Sequence, residues 1–201
     1  AADRMLRLLQ GDVVSFKTVV ALMMLLNAVE AGAQGAIMAP TEILARQHYE
    51  TIAPICEAIG VGVVILTGRD KGKARGQILE QIADGRAQIA IGTHALFQKD
   101  IEFQDLAAVV IDEQHRFGVH QRLDLSRKGR AADTLVMTAT PIPRTLMLTA
   151  YGDMDTSRLM EKPAGRQPID TRTISADRME DVVEGLRRQI SEGAQAYWVC
   201  P

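Results

Sequence analysis

Short apolar runs alternate with longer amphipathic stretches along most of the chain. The runs Met5–Leu9, Gly35–Met38, Val61–Leu66, Gln88–Ile91, Ala107–Ile111 and Thr134–Met137 are rich in Ile, Val and Leu, with little polar alternation. Strands buried on both faces of a parallel sheet read this way. Between them, Lys17–Ala31, Thr41–Ile59, Lys73–Asp84, Val119–Leu125 and Pro143–Tyr151 read as helices. Thr41 can cap the second of these, and Glu42 puts an acid in its first turn. Alternating strands and helices imply right-handed crossovers and a three-layer α/β sandwich around a parallel sheet.

A second pattern starts near Lys162. The stretch K-P-A-G-R-Q-P reads as a linker. After it, Ile169–Ile174 is expected as a strand, Ala176–Glu192 as a helix and Ala194–Cys200 as another strand. A lone strand–helix–strand unit cannot bury its own sheet faces. The expected organisation is therefore one α/β domain over 1–160, a linker over 161–168, and the start of a second domain over 169–201. Unpaired strand edges and an apolar helix face in that last stretch would invite self-association.

The chain has 201 residues, 47% of them hydrophobic and 24% charged, which excludes a disordered chain, a collagen or a coiled-coil rod. Cys56 and Cys200 are too few for a disulfide framework and badly spaced for zinc. The histidines His48, His94, His115 and His120 form no metal-ligand pattern. The net charge of −2 excludes a generic polycation, so nucleic-acid binding would have to use local patches. The most apolar stretch, Val13–Val29, is near the short limit for a bilayer span and contains Ser15, Lys17, Thr18 and Asn27; it reads as a buried helix. Ala1–Gln10 carries charge inside its apolar run and does not read as a signal peptide, so an intracellular, reducing compartment is expected.

Candidate chemistry begins at Gly11-Asp12-Val13-Val14-Ser15-Phe16-Lys17-Thr18, after a strand and opening a helix. A phosphate loop reads G-x-x-x-x-G-K-S/T in that context. Gly11, Lys17 and Thr18 fit, but Phe16 stands where the second glycine belongs. Such a loop wraps a phosphate with inward-pointing amides at a helix N-terminus. Glycine reaches the required backbone angles, and Phe reaches them only with strain. Taken alone, the octapeptide is either an altered phosphate loop or a plain strand-to-helix turn ending in Lys-Thr.

The run Ala107–Ile111 ends in Asp112-Glu113-Gln114-His115. At the C-terminal edge of a parallel sheet both carboxylates face the ligand crevice. An Asp there can hold Mg²⁺ together with the loop hydroxyl of Thr18, and the neighbouring Glu can act as general base. The alternative is a strand ending in a solvated turn. Thr138-Ala139-Thr140 follows another apolar run and precedes Pro141-Ile142-Pro143-Arg144. It can link a nucleotide site to a moving surface and also cap a helix. Polar loops close three more strands: Pro40-Thr41 with Arg46 beyond, Thr67-Gly68-Arg69, and Gly92-Thr93-His94. Hydroxyls, helix N-termini and Arg on one sheet edge make a phosphate-contacting rail. Each loop alone is more often ordinary.

The order of these segments resembles the superfamily 2 helicase motor, and most closely the RecG-type ATP-dependent branch-migration helicases. The segments are G-D-V-V-S-F-K-T, A-P-T-E-I-L-A-R-Q-H, I-G-T-H-A-L-F, I-D-E-Q-H-R-F-G-V-H-Q-R and M-T-A-T-P-I-P-R-T-L, with T-A-Y-G-D-M-D and E-K-P-A-G-R-Q-P-I beyond. The transcription-repair coupling translocases are similar, with D-E-E-H in place of D-E-Q-H. The resemblance implies a P-loop NTPase fold, that is, a RecA-like motor lobe followed by the start of a second one. It also implies ATP and Mg²⁺ as cofactors, branched or duplex DNA as partner, no membrane, and a bacterial cytoplasmic, nucleoid-associated setting.

Residue roles follow from the same resemblance. Gly11, Asp12, Lys17, Thr18, Gln114 and His115 would bind nucleotide. Thr18 and Asp112 would hold Mg²⁺. Glu113 would be the base, acting with Asp112 and Lys17. Pro40, Thr41, Arg46, Thr67, Gly68, Arg69, Gly92, Thr93 and His94 would line the DNA track. Gln114, His115, Thr138, Ala139 and Thr140 would couple the two sites.

The sequence departs from the family at its loop. The family reads G-D-V-G-S-G-K-T, so Val14 and Phe16 replace two glycines. Phe16 is expected to fill the phosphate cradle and Lys17 to turn toward Asp112 instead. The family's wedge domain and adenine-contacting segment would lie upstream of Ala1, and its arginine fingers beyond Pro201. The expectation is a helicase motor stretch that is inactive by itself. A non-catalytic, self-associating α/β domain is the alternative.

Overall fold

The computed structural model describes residues 5–12, 16–98, 100–113, 132–140, 154–160 and 169–199. The chain divides into two compact units, Ala1–Pro163 and Ala164–Pro201.

The first unit is built on seven strands: β1 (Leu6–Gly11), β2 (Gln34–Met38), β3 (Val63–Leu66), β4 (Ile89–Gly92), β5 (Leu106–Asp112), β6 (Asp133–Thr138) and β7 (Asp155–Leu159). They form one sheet in the order β3-β4-β2-β5-β6-β1-β7, and every pairing is parallel. Side chains alternate across a strand, so the uniformly apolar runs feed two cores. Leu8, Val109, Ala90 and Val136 face one side; Leu9, Val110, Ile91 and Leu135 face the other.

The second face is covered by α1 (Lys17–Glu30), through Ala21, Leu22 and Leu25, and by α2 (Glu42–Ala58), through Ala45, Ile52 and Cys56. The first face receives α3 (Gly72–Ala83) through Ile78, Leu79 and Ile82. The result is the expected three-layer α/β sandwich. The apolar stretch after Val13 enters this core as α1, and no helix among the described residues is long and apolar enough to cross a membrane.

The six expected strands and the first three expected helices form within two residues of their expected bounds. The seventh strand has no counterpart among the expectations. Its sequence D-T-S-R-L carries polar residues, and it lies at the sheet edge beside β1. An edge strand needs no apolar run when one of its sides is solvated. Arg7 of β1 ties it down by donating to Ser157 Oγ at 2.9 Å and to Asp155 Oδ2 at 3.0 Å. The expected helices Val119–Leu125 and Pro143–Tyr151 and the linker 161–168 lie outside the described residues.

In the second unit, a short 3₁₀ turn (Ala176–Arg178) leads into α4 (Met179–Ser191). The two expected strands are corrected here. Residues 169–174 and 194–199 take no strand pairing, and Cys200 lies outside the described residues. Alternation marks a strand only where a neighbour completes its hydrogen bonds. None of the residues of α4 is buried.

Candidate active site

Because every strand is parallel, their C-terminal ends share one edge of the sheet. Register does the finer placement. Asp112 of β5 lies beside Met137 of β6, and Thr138 of β6 lies beside Gln10 of β1. The start of α1, the end of β6 and the acidic end of β5 meet around one cleft of about 510 Å³. Phe16, Lys17, Thr18, His48, Asp112 and Glu113 are among its lining residues.

Phe16 is the N-cap of α1, with φ 58 and ψ 22. This left-handed conformation costs an ordinary residue about 1–2 kcal/mol and costs glycine little. The backbone at Phe16 thus does what a phosphate-loop glycine would do, and the difference lies in the side chain. That side chain is 64% exposed and stands at the cleft. Val14 lies outside the described residues. Among the described residues no side chain caps α1, and no acid occupies its first turn. An uncapped helix N-terminus directs amide donors and positive potential at an anion.

Lys17 Nζ donates to the carbonyls of Gly11 and Asp12, each at 2.8 Å. The expected turn of Lys17 toward Asp112 is corrected by this pair of bonds. The nearby carbonyls satisfy the ammonium, and Asp112 has another partner. Its Oδ2 lies 2.8 Å from His48 Nε2, with both side chains nearly buried.

Glu113 also has a positive φ, 48°. Its amide donates to the Met137 carbonyl at 2.9 Å. Its carboxylate accepts from Ala139 N–H at 3.0 Å and from the Thr138 hydroxyl at 3.2 Å. Thr138 and Thr140 share a hydroxyl bond of 2.9 Å, and Gln10 Nε2 donates to the Thr140 carbonyl at 3.3 Å. The T-A-T segment is thus fastened directly to the second acid. Gln114 and His115 lie outside the described residues.

The donor set fits a Mg²⁺–nucleoside triphosphate. An ammonium, a hydroxyl and two carboxylates line one cleft at an uncapped helix N-terminus. The aromatic side chain of Phe16 is the misfit, because a phosphate cradle needs bare backbone there.

The other candidate residues divide by exposure. Thr41, Arg46, Gly68, Arg69 and His94 are exposed, and Pro40 is half-buried. Thr41 caps α2 by accepting from Leu44 N–H at 3.3 Å. Thr67 and Thr93 are buried and serve their own loops: Thr67 bonds to Asp70, and Thr93 caps the 3₁₀ turn His94–Phe97. Gly92 is buried in β4, where an added Cβ would lie 2.1 Å from the Leu66 carbonyl oxygen. Its residue type is set by close strand packing.

Sequence reasoning missed two functional candidates. One is His48, which shares the buried face of α2 with Ala45, Ile52 and Cys56. A polar residue on an apolar stripe needs a buried partner, and that signal was present in the sequence. The other is Glu42, which accepts from Arg46 at 2.9 Å and pairs with Arg69 at 3.1 Å. No sequence spacing announces the Arg69 contact.

Comparison with known proteins identifies the family. The family model for DEAD/DEAH box helicases matches residues 5–149, and the chain belongs to that family. Within the family, the RecG-type resemblance of its motifs is borne out over nearly the whole chain. The chain is 53% identical to the ATP-dependent DNA helicase RecG of Pasteurella multocida and 49% identical to that of Bacillus subtilis, over 98% of its own length in each case. It spans 29% of the length of these relatives. A solved structure of RecG bound to a three-way DNA junction matches all of the chain, with 42% identity and a TM-score of 0.84, over 27% of that protein. The helicase domain of Pyrococcus furiosus Hef, at 22% identity and a TM-score of 0.57 over 79% of this chain and 36% of its own, shares the fold.

Proposed function

We propose that this chain is the nucleotide-binding motor lobe, with the start of its partner lobe, of an ATP-dependent helicase that remodels branched DNA. The observation carrying this reading is the single cleft shared by the α1 N-terminus, Lys17, Thr18, Asp112 and Glu113. The organisation read from the sequence, with a lobe over 1–160, a linker over 161–168 and a second lobe from 169, belongs to the same proposal.

Each residue has a role in it. Lys17 leaves the carbonyls of Gly11 and Asp12 and places its charge against the β- and γ-phosphates. Thr18 and Asp112 hold Mg²⁺, which when bound offsets phosphate charge. Glu113 takes a proton from the attacking water, and Thr138 and Ala139 keep its carboxylate oriented. Arg46, Arg69, Thr41 and His94, together with Pro40 and Gly68, form the DNA-facing edge. Thr67, Gly92 and Thr93 shape that edge from beneath. Gln114, His115, Thr138 and Thr140 relay between edge and cleft. Such motors also draw Arg from a second lobe onto the developing phosphate charge.

In this reading the chain by itself is catalytically silent. Phe16 crowds the cradle. DNA-dependent ATP hydrolysis, measured on the full-length protein with Val14→Gly and Phe16→Gly, tests the reading. Hydrolysis that needs DNA and is lost in Glu113→Gln supports it. Hydrolysis that survives Glu113→Gln contradicts it.

Self-association is a second reading, favoured by exposed Ile169, Ile174, Met179, Ile190, Tyr197 and Trp198 in the second unit. Light scattering decides it. A mass that grows with concentration supports it, and a concentration-independent monomer counts against it.

A further inference from the structure

We infer that His48 is a positioning residue for Asp112, an assignment that rests on reading Asp112 as the carboxylate that holds Mg²⁺. The bond between His48 Nε2 and Asp112 Oδ2 is 2.8 Å long, and the two side chains are 11% and 12% exposed. A carboxylate this far from water needs a donor to offset its lost hydration. An ionised carboxylate only accepts, so Nε2 carries the shared proton.

The bond commits Oδ2 to α2 and fixes the plane of the carboxylate, so that Oδ1 would be the oxygen turned to Mg²⁺. Lys17 does not compete for this acid, because its ammonium is held by the Gly11 and Asp12 carbonyls. His48 also lines the cleft beside Lys17, Thr18 and Asp112. The remaining residues of its stripe, Ala45, Ile52 and Cys56, are buried without such a partner. A helix that needed only to pack would carry an apolar residue at position 48.

The same helix begins at the Thr41 cap and carries Arg46, two of the residues proposed for the DNA edge. A displacement of α2 by a bound strand therefore moves the donor that orients Asp112. His48 is a direct mechanical link between edge and acid, separate from the link that Thr138 makes to Glu113.

The test uses Mn²⁺ as the probe in the presence of ATP, followed by electron paramagnetic resonance, on the Val14→Gly/Phe16→Gly form, in which ATP binding is expected. Partners that orient a metal-binding carboxylate are worth about 10-fold or more in metal affinity. His48→Ala is expected to raise the Mn²⁺ Kd by about ten-fold while ATP affinity in EDTA stays within about two-fold. His48→Gln keeps an N–H donor and is expected to stay within about three-fold of the parent. If His48→Ala loses its helical circular dichroism, His48→Leu fills the volume without a donor, and Leu against Gln carries the comparison. Donor-free variants that bind Mn²⁺ like the parent, while Asp112→Ala loses it, overturn the role of His48. Absence of Mn²⁺ binding in that form, or binding that survives Asp112→Ala, overturns the metal reading of Asp112, and the role of His48 falls with it.

Discussion

The Thr138 hydroxyl donates to Glu113 Oε2 at 3.2 Å. This bond joins the end of β6 to the residue that follows β5, and Ala139 N–H supports the other carboxylate oxygen. Thr138 is 1% exposed, and its oxygen also accepts from Thr140 N–H at 3.1 Å. Thr138→Val keeps the shape, removes the donor and strands that amide. The expected loss is about 1–3 kcal/mol of folding stability in urea unfolding. Thr138→Ser restores most of it. Equal stability of the Val and Ser variants would show that the network contributes nothing.

Phe16 stores backbone strain in the left-handed region. Phe16→Gly removes that strain but adds freedom to the unfolded chain, worth about 0.5–1 kcal/mol in the opposite direction. Phe16→Ala keeps the strain and loses the ring. The Gly variant is therefore expected to be more stable than the Ala variant by about 1 kcal/mol in the same assay. The reverse order would mean that the loop does not hold this conformation in solution.

Gln34 fastens the far end of the sheet. Its Nε2 donates to the Ile82 and Ala87 carbonyls at 2.9 and 2.7 Å, and its Oε1 accepts from Asp105 N–H at 3.1 Å. Gln34→Leu removes the partner of the Ala87 carbonyl and of Asp105 N–H, while the Ile82 carbonyl keeps Gly85 N–H at 3.4 Å. The expected cost is about 3 kcal/mol, large for a residue so far from the cleft. Thermal unfolding of the variant checks it.

Glu42 holds two arginines proposed for the DNA edge, Arg46 and Arg69. Those side chains are 51% and 82% exposed, so their pairs add little stability. Glu42→Gln is expected to leave the unfolding midpoint nearly unchanged and to strengthen binding to duplex DNA at low salt. The log–log salt slope should steepen by about 0.9 for each arginine released to a phosphate. Fluorescence anisotropy with a short duplex measures both. Unchanged affinity and slope would remove Arg46 and Arg69 from the edge.

The central strands were legible because burial on both faces demands uninterrupted Ile, Val and Leu, as in Val109-Val110-Ile111. The edge strand Asp155–Leu159 was not, because one of its sides needs no apolar residues. At 169–174 and 194–199 alternation was present and a pairing neighbour was not, so the strand reading failed. The phosphate loop and acids were legible as short motifs, since each packs its chemistry into adjacent residues. His48 and Asp112 are far apart in sequence, and only the packing of α2 over the sheet brings them together. The fate of Lys17 was equally hidden, because local carbonyls captured it before any distant acid could.

A phosphate site that survives around a loop carrying Phe16 at the cleft is the core of this reading. Isothermal calorimetry with millimolar ATP and Mg²⁺, on the chain and on its Val14→Gly/Phe16→Gly form, tests it most directly. The account predicts no binding heat from the unaltered chain and saturable binding once both glycines are in place. Micromolar binding by the unaltered chain would contradict the blocked loop, and no gain from the glycines would contradict the surviving site.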